Sequence, residues 1–280
     1  MRLYLAEATW EDISRGLDLP SSGDSITTPL RVLMSFAFYK DEEIDRIVGR
    51  LQTKFKVPVE VFADSGAYSA ATLGMKLSRE DYVAWVRKWR HLFTVVAAPD
   101  VIGNPERTLE DTLWMRERIP EAIPTYHVGS PLEALLSWKD CPYIALGGMV
   151  PYASRPKHLG AWLTKTFRHI PPTQKVHGFG MTRNAFVREF PWYSCDSSSW
   201  GGGYRWGMLR LFSPWTRKWE TVELRNPGHL ANALPLLKLY NLPIAQCRAD
   251  ELDRFALMRA SIQAWRLYEQ DVTSRNSSWK

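Results

Sequence analysis

The sequence predicts an α/β fold, a (β/α)8 barrel in one domain with a C-terminal helical extension. Eight short apolar runs alternate with longer helical patterns along residues 2–197. The runs are nearly continuously apolar, as strands of an all-parallel sheet must be when both faces are covered. Eight is also the number of strands that closes such a barrel, and 280 residues at 45% hydrophobic supply one large core. A doubly wound open sheet is the alternative that the same alternation allows.

The strand-like runs, in order, are RLYLAEA (2–8), RVLMSFAF (31–38), VEVFAD (59–64), FTVVAAPD (93–100), IPTYHV (123–128), YIALGG (143–148), KVHGFG (175–180) and PWYSCDS (191–197). Helical patterns fill 41–54, 78–92, 104–119, 131–139, 158–170 and 182–190. Two have explicit start signals: Ser78 stands three residues before Asp81, and Asn104 precedes Pro105 and Glu106. Beyond the eighth run the rhythm changes. Residues 197–224 read as a loop and hairpin insertion, with Gly201–Gly203 as a hinge or turn. Two helices are expected within 229–270, and the last residues, VTSRNSSWK, as a frayed tail. Neither an internal repeat nor a low-complexity linker divides residues 1–280.

Composition narrows the function classes. No apolar run approaches the ~18 residues of a membrane span, and the opening MRLYLAEATWED turns acidic early for a signal peptide. Cys141, Cys195 and Cys247 lie far apart, so reduced thiols and a cytoplasmic location are expected rather than a disulfide framework. The net charge of +6 is uneven: residues 151–220 hold eleven Lys and Arg against three acids. There Trp192, Trp200, Tyr204, Trp206, Trp215 and Trp219 interleave with Arg205, Arg210, Arg217 and Lys218. Cations for phosphates and flat rings for bases suit a single-stranded or flipped nucleic acid. A solvated basic face over a tryptophan-rich core is the plainer reading of the same residues.

Active sites of such barrels lie at the carboxyl ends of the strands. Those ends carry Asp64, Asp100, His127, Gly147, Gly148, His177 and Asp196. An aspartate before Ser or Gly is often only a cap or turn residue. Three of them on three strands, however, converge on one mouth.

The stretch DSGAY (64–68) resembles the DSGG-[FY] signature of the tRNA-guanine transglycosylase superfamily, and the likeness runs in order across about residues 30–200. AAPD, ending at Asp100, resembles the strand end with the base-recognising aspartate; YIALGGM is similar to the family's YAIGGL segment. VHGFGMT resembles its MGVG segment, and YSCDSSSW stands where the family has its nucleophilic aspartate. The resemblance implies that Asp196 attacks C1′ of a guanosine and that Asp64 is the general acid and base. It also implies that Asp100 binds the base's N–H edge, Tyr68 stacks on the base, and Ser65, Gly66, Gly147 and Gly148 shape its pocket. A carboxylate nucleophile divides one hard displacement into two easier ones.

Departures from the family redirect the substrate. The tRNA enzymes hold structural zinc on a Cys-x-Cys-x2-Cys cluster and a His; here Cys247 is the only cysteine after Asp196, so no zinc and no other cofactor is expected. HVGS (127–130) replaces the family's Val-Gln-Gly, which puts His127 or Val128 where a base-contacting glutamine is usual. A short, basic, zinc-less chain resembles the phage and bacterial branch that inserts 7-deazaguanine derivatives into DNA. Its partners are then DNA, with guanine single-stranded or flipped out, and the free 7-deazaguanine base. Three other readings stay open: a reduced tRNA enzyme, a nucleic-acid-binding barrel without catalysis, and a metal-dependent hydrolase. The last is weakened because His158 and His169 fall in a helical pattern and no HxH pair exists.

Overall fold

Successive side chains of a strand point to opposite faces, and in this protein the two faces bury into two separate apolar clusters. The computed structural model describes residues 1–6, 9–16, 28–248 and 252–274. Its barrel strands are β1 (Arg2–Ala6), β2 (Leu30–Ser35), β3 (Val59–Asp64), β4 (Phe93–Val96), β5 (Thr125–His127), β6 (Tyr143–Gly147), β7 (Lys175–Gly178) and β8 (Ser194–Ser197). All pair in parallel in the order β4-β3-β2-β1-β8-β7-β6-β5. The ends of that order meet through a parallel bridge between Ala97 and Ile123, with Ile123 N–H donating to Val96 O at 2.9 Å. The sheet therefore closes as a (β/α)8 barrel, and the open doubly wound alternative is set aside.

The lumen takes one residue in two from each strand. Tyr4, Leu33, Phe62, Val95 and Ala145 form its apolar cluster. Their neighbours Leu5, Val32, Val61, Val96 and Ile144 face outward into the larger core beneath the helices. Those helices are α1 (Trp10–Gly16), α2 (Phe36–Tyr39), α3 (Ile44–Phe55), α4 (Ala67–Leu73), α5 (Arg79–Trp89), α6 (Pro105–Arg116), α7 (Leu132–Leu136), α8 (Pro156–Phe167) and α9 (Asn184–Glu189). The expected caps form: Ser78 Oγ accepts from Asp81 N at 3.0 Å, and Asn104 Oδ1 from Arg107 N at 2.9 Å. In α3, Ile44, Ile47, Val48, Leu51 and Phe55 make one buried stripe at helical spacing.

Several boundaries differ from the sequence reading. Residues 36–38 leave the second strand as α2, a helical turn that sets the buried Phe36 and Tyr39 on one face, where strand alternation would send them to opposite faces. The strand read over 93–100 stops at Val96. Residues 7 and 8 of the first run lie outside the described residues. Helices α1 and α4 were not expected; α4 buries only Ala70, so it has no apolar stripe to read. The triple glycine is also no hinge. Gly201 ends a 3₁₀ turn, and Gly202 and Gly203 begin α10 (Gly202–Trp206).

The hairpin does follow, as β9 (Met208–Ser213) and β10 (Lys218–Glu223). The first C-terminal helix is split in two, α11 (Pro227–Asn232) and α12 (Leu234–Leu239). The second is α13 (Arg254–Thr273), capped by Asp253, so Val272 and Thr273 of the expected frayed tail are helical. Residues 249–251 and 275–280 lie outside the described residues. Among the described residues no helix is long and apolar enough to cross a membrane.

The amino ends of β1–β3 are tied to α13 by charge. Glu269 accepts from Leu3 N at 2.8 Å and from Arg31 Nη1 at 2.6 Å, while Arg31 Nε reaches Glu60 at 2.8 Å. Burial pushes the Glu269 carboxyl above its ordinary pKa, against the pull of Arg31. Breaking a buried pair from one side leaves the other charge uncompensated, at about 3–5 kcal/mol. Glu269→Ala is therefore expected to lower the unfolding free energy by about 3 kcal/mol in urea melts, since Arg31 keeps Glu60 as partner.

Candidate functional site

One cavity of about 610 Å³ opens at the carboxyl ends of the strands, and Asp64, Asp100 and Asp196 all line it. Each carboxylate is held by its own donors. Asp64 ends β3 opposite Ser35 of β2, and its Oδ2 accepts from Ser35 Oγ at 3.1 Å and Gly66 N at 2.8 Å. Asp100 Oδ2 lies 2.7 Å from His127 Nε2. Asp196 Oδ1 accepts from Gly180 N at 2.9 Å and lies 3.2 Å from His177 Nε2.

The local turns explain the geometry. Gly66 stands at φ +81° at the start of α4, where a Cβ would come within 2.6 Å of Ala37 Cβ. Only glycine makes that turn, and the turn aims its N–H at Asp64. From α5, Tyr82 OH donates to Ala97 O at 2.8 Å, pinning the region between Asp64 and Asp100 from outside.

Electrostatics marks out Asp64. The Asp64 carboxyl is raised from its ordinary range to about 7 by burial first, then by the negative charge of Asp100, with Asp196 adding; the bonds from Gly66 and Ser35 oppose the rise. At neutral pH, Asp64 is thus divided between acid and carboxylate, which is the condition for giving and taking a proton in one cycle.

The remaining expected residues fall into two groups. Tyr68, Gly147, Gly148 and Arg205 line the cavity, with Tyr68 half exposed at its rim. Ser65, Gly66 and His127 stand behind the lining: Ser65 is buried, and His127 is buried beneath Asp100. The glycine at 147 answers to the protein itself, because a Cβ there would come within 2.8 Å of His127 Cδ2.

Most of the basic, aromatic segment lies elsewhere. Trp192 and Trp200 are core residues, Trp200 stacking on Trp10 and donating from Nε1 to Ala6 O at 3.1 Å. Trp219 packs on Trp265 and Tyr268 of α13, and Arg210 lies over Trp219. Arg217 is paired with Asp271. Neither Arg210, Arg217 nor Lys218 lines the cavity; Trp206 and Trp215 are the exposed tryptophans of this segment.

Sequence reasoning missed Ser35, Ser194, Tyr143 and Gly180. Strand alternation could have supplied Ser194, which shares a face with Asp196, and register could have supplied Ser35, opposite Asp64. Alternation likewise sets Tyr143 on the face of Ala145 and Gly147, whereas Gly180 N–H leaves no such trace. Among the described residues no group of three or more His, Cys, Asp and Glu is arranged to hold a metal ion. No protein-family model matches the chain, and no curated protein matches it significantly.

The raised Asp64 carboxyl has a stability consequence. A folded-state pKa above the unfolded one favours folding fully below about pH 4, and that contribution is lost as pH rises through about 7. Asp64→Asn is expected to melt higher than the parent above pH 7, by on the order of 2 kcal/mol after solvent screening in the open cavity, and to lose that advantage near pH 4. Thermal melts from pH 4 to 8 measure the difference.

Proposed function

We propose that the protein is a DNA guanine transglycosylase, exchanging guanine for a 7-deazaguanine base through a glycosyl-aspartate at Asp196. The observation that carries this reading is the meeting of three carboxylates from three strand ends on one cavity, with Asp64 raised to about 7 between the other two. The motif resemblance assigns the same three residues to one reaction.

Asp196 attacks C1′ as the C1′–N9 bond breaks, and protonated Asp64 gives its proton to the departing guanine. Asp64, now a carboxylate, takes the N9 proton of the incoming deazaguanine. That nitrogen then displaces Asp196 from C1′, leaving Asp64 protonated and Asp196 ionised as at the start. Asp100 accepts from the amino and ring N–H groups of either base, and Tyr68 stacks on it. An acid of pKa near 7 serves both half-reactions, because neither protonation state is scarce at working pH. DNA is favoured over tRNA because residues 197–280 carry one cysteine, Cys247, where the tRNA enzymes have a zinc-ligand cluster. Arg205 at the cavity supplies a cation for the backbone of an extruded nucleotide.

Incubation with labelled guanine or 7-cyano-7-deazaguanine and either DNA or tRNA, followed by nucleoside mass spectrometry, tests the reading. Label is expected in DNA. Label in tRNA alone makes the chain a reduced tRNA enzyme, and label in neither polymer refutes base exchange. Asp196→Ala is expected to reduce exchange by at least about 10³-fold while polymer affinity stays within about twofold.

The pH profile gives a second test. Exchange is expected to peak near pH 7, where Asp64 is shared between its two forms. Asp100→Asn removes the largest charge acting on Asp64, so in that variant the Asp64-dependent limb of the profile should move to lower pH.

A further inference from the structure

We propose that a buried hydrogen-bond chain, Tyr143–Ser194–His177, positions Asp196 from below and assists its departure from the sugar. This rests on the transglycosylase reading. The chain crosses the lumen: Tyr143 OH lies 2.5 Å from Ser194 Oγ, Ser194 Oγ 2.6 Å from His177 Nδ1, and His177 Nε2 3.2 Å from Asp196 Oδ1. Ser194 and His177 have no solvent exposure. Around the imidazole stand Phe62, Phe179 and Tyr4, with ring centroids at 4.4, 4.7 and 6.2 Å. The imidazole's immediate surroundings are these rings, and a leucine or phenylalanine at 177 would suit them without the cost of burying a polar group.

Donor and acceptor complementarity gives the chain a direction. A carboxylate only accepts, so His177 carries its proton on Nε2 and donates to Asp196. Nδ1 is then an acceptor, Ser194 O–H donates to it, and Tyr143 O–H donates to Ser194 Oγ. Every hydrogen bond points toward the carboxylate. Both donors to Asp196, His177 Nε2–H and Gly180 N–H, meet Oδ1. Among the described residues no donor binds Oδ2, so Oδ2 is the oxygen that attacks C1′.

In the glycosyl-aspartate, Oδ2 is esterified and Oδ1 is the ester carbonyl, still facing the same two donors. When the incoming base breaks the C1′–Oδ2 bond, the electron pair returns to the carboxylate and negative charge grows on Oδ1. Two fixed donors at that atom stabilise the departing carboxylate as an oxyanion hole does. His177 is therefore a positioning residue whose effect falls mainly on the second half-reaction, and the chain itself transfers no proton.

Two measurements test this. The first is the ¹⁵N NMR signature of His177, independent of turnover. The parent is expected as the Nε2–H tautomer, and Ser194→Ala should admit the Nδ1–H form; an Nδ1–H parent overturns the chain. The second is turnover of His177→Phe, which keeps a ring between Phe62 and Phe179 but has no donor. Its kcat should fall by about 10²-fold, as for a lost oxyanion donor, and its KM for DNA should fall with it, because kcat/KM for DNA reports only the first half-reaction. Its denaturant-stable enzyme–DNA adduct should accumulate, because the second step is slowed more than the first. His177→Gln, which offers an N–H near the same point, should recover exchange to within about fivefold and remove the accumulation. Unchanged turnover in His177→Phe, or a fall without adduct accumulation, overturns the assignment. A parent protein that exchanges base in neither polymer refutes the reaction and this catalytic role with it, while the tautomer still decides the chain.

Discussion

Three carboxylates that line one cavity repel one another, and the protein must hold them there in spite of it. It does so by giving each acid separate donors: Ser35 and Gly66 for Asp64, His127 for Asp100, His177 and Gly180 for Asp196. Most of the polar residues inside this apolar barrel follow from that need. His127 displaces any side chain from position 147, and His177 brings Ser194 and Tyr143 into the lumen behind it. The residual repulsion is not removed. It appears at Asp64, where the charges of Asp100 and Asp196 add to burial in raising the carboxyl to about 7.

Division of labour between the two faces of the sheet lets this polar machinery coexist with a stable fold. Outward-facing residues of the strands pack under the helices in one continuous apolar cluster, and the lumen cluster is small and separate. Removing a large core side chain such as Trp192 or Leu51 costs several kcal/mol, about 3–5, so the outer layer holds most of the stability. The opposite end of the barrel is secured by Arg31, Glu60 and Glu269, with Arg31 and Glu60 at the other ends of the same strands that carry Ser35 and Asp64.

Much of this was legible in the sequence. Alternating runs gave the barrel because buried parallel strands must be apolar throughout, and Asp64, Asp100 and Asp196 stood out as charged residues at the ends of such runs. The helical turn at Phe36 and the helix after Gly66 were not legible, since neither carries a full amphipathic stripe. The tryptophans misled for a physical reason: composition cannot tell a ring that stacks on Trp10, as Trp200 does, from one left in solvent, as Trp206 is. Arg217 likewise looked available until α13 brought Asp271 beside it. Long-range pairing of this kind has no local signal.

The stitching of the barrel is uneven. Strands β2 and β3 are matched over six residue pairs, from Leu30 with Val59 to Ser35 with Asp64, whereas β4 and β5 meet at the single bridge of Ala97 and Ile123. Directly above that seam, Asp100 from one side is bonded to His127 from the other. The contact that holds the Asp100 carboxylate is thus also a clasp over the ring's thinnest join, where parting two strands sacrifices the fewest main-chain bonds. Strain arriving at the join bears on Asp100 and His127 before it reaches Asp196 on the far arc.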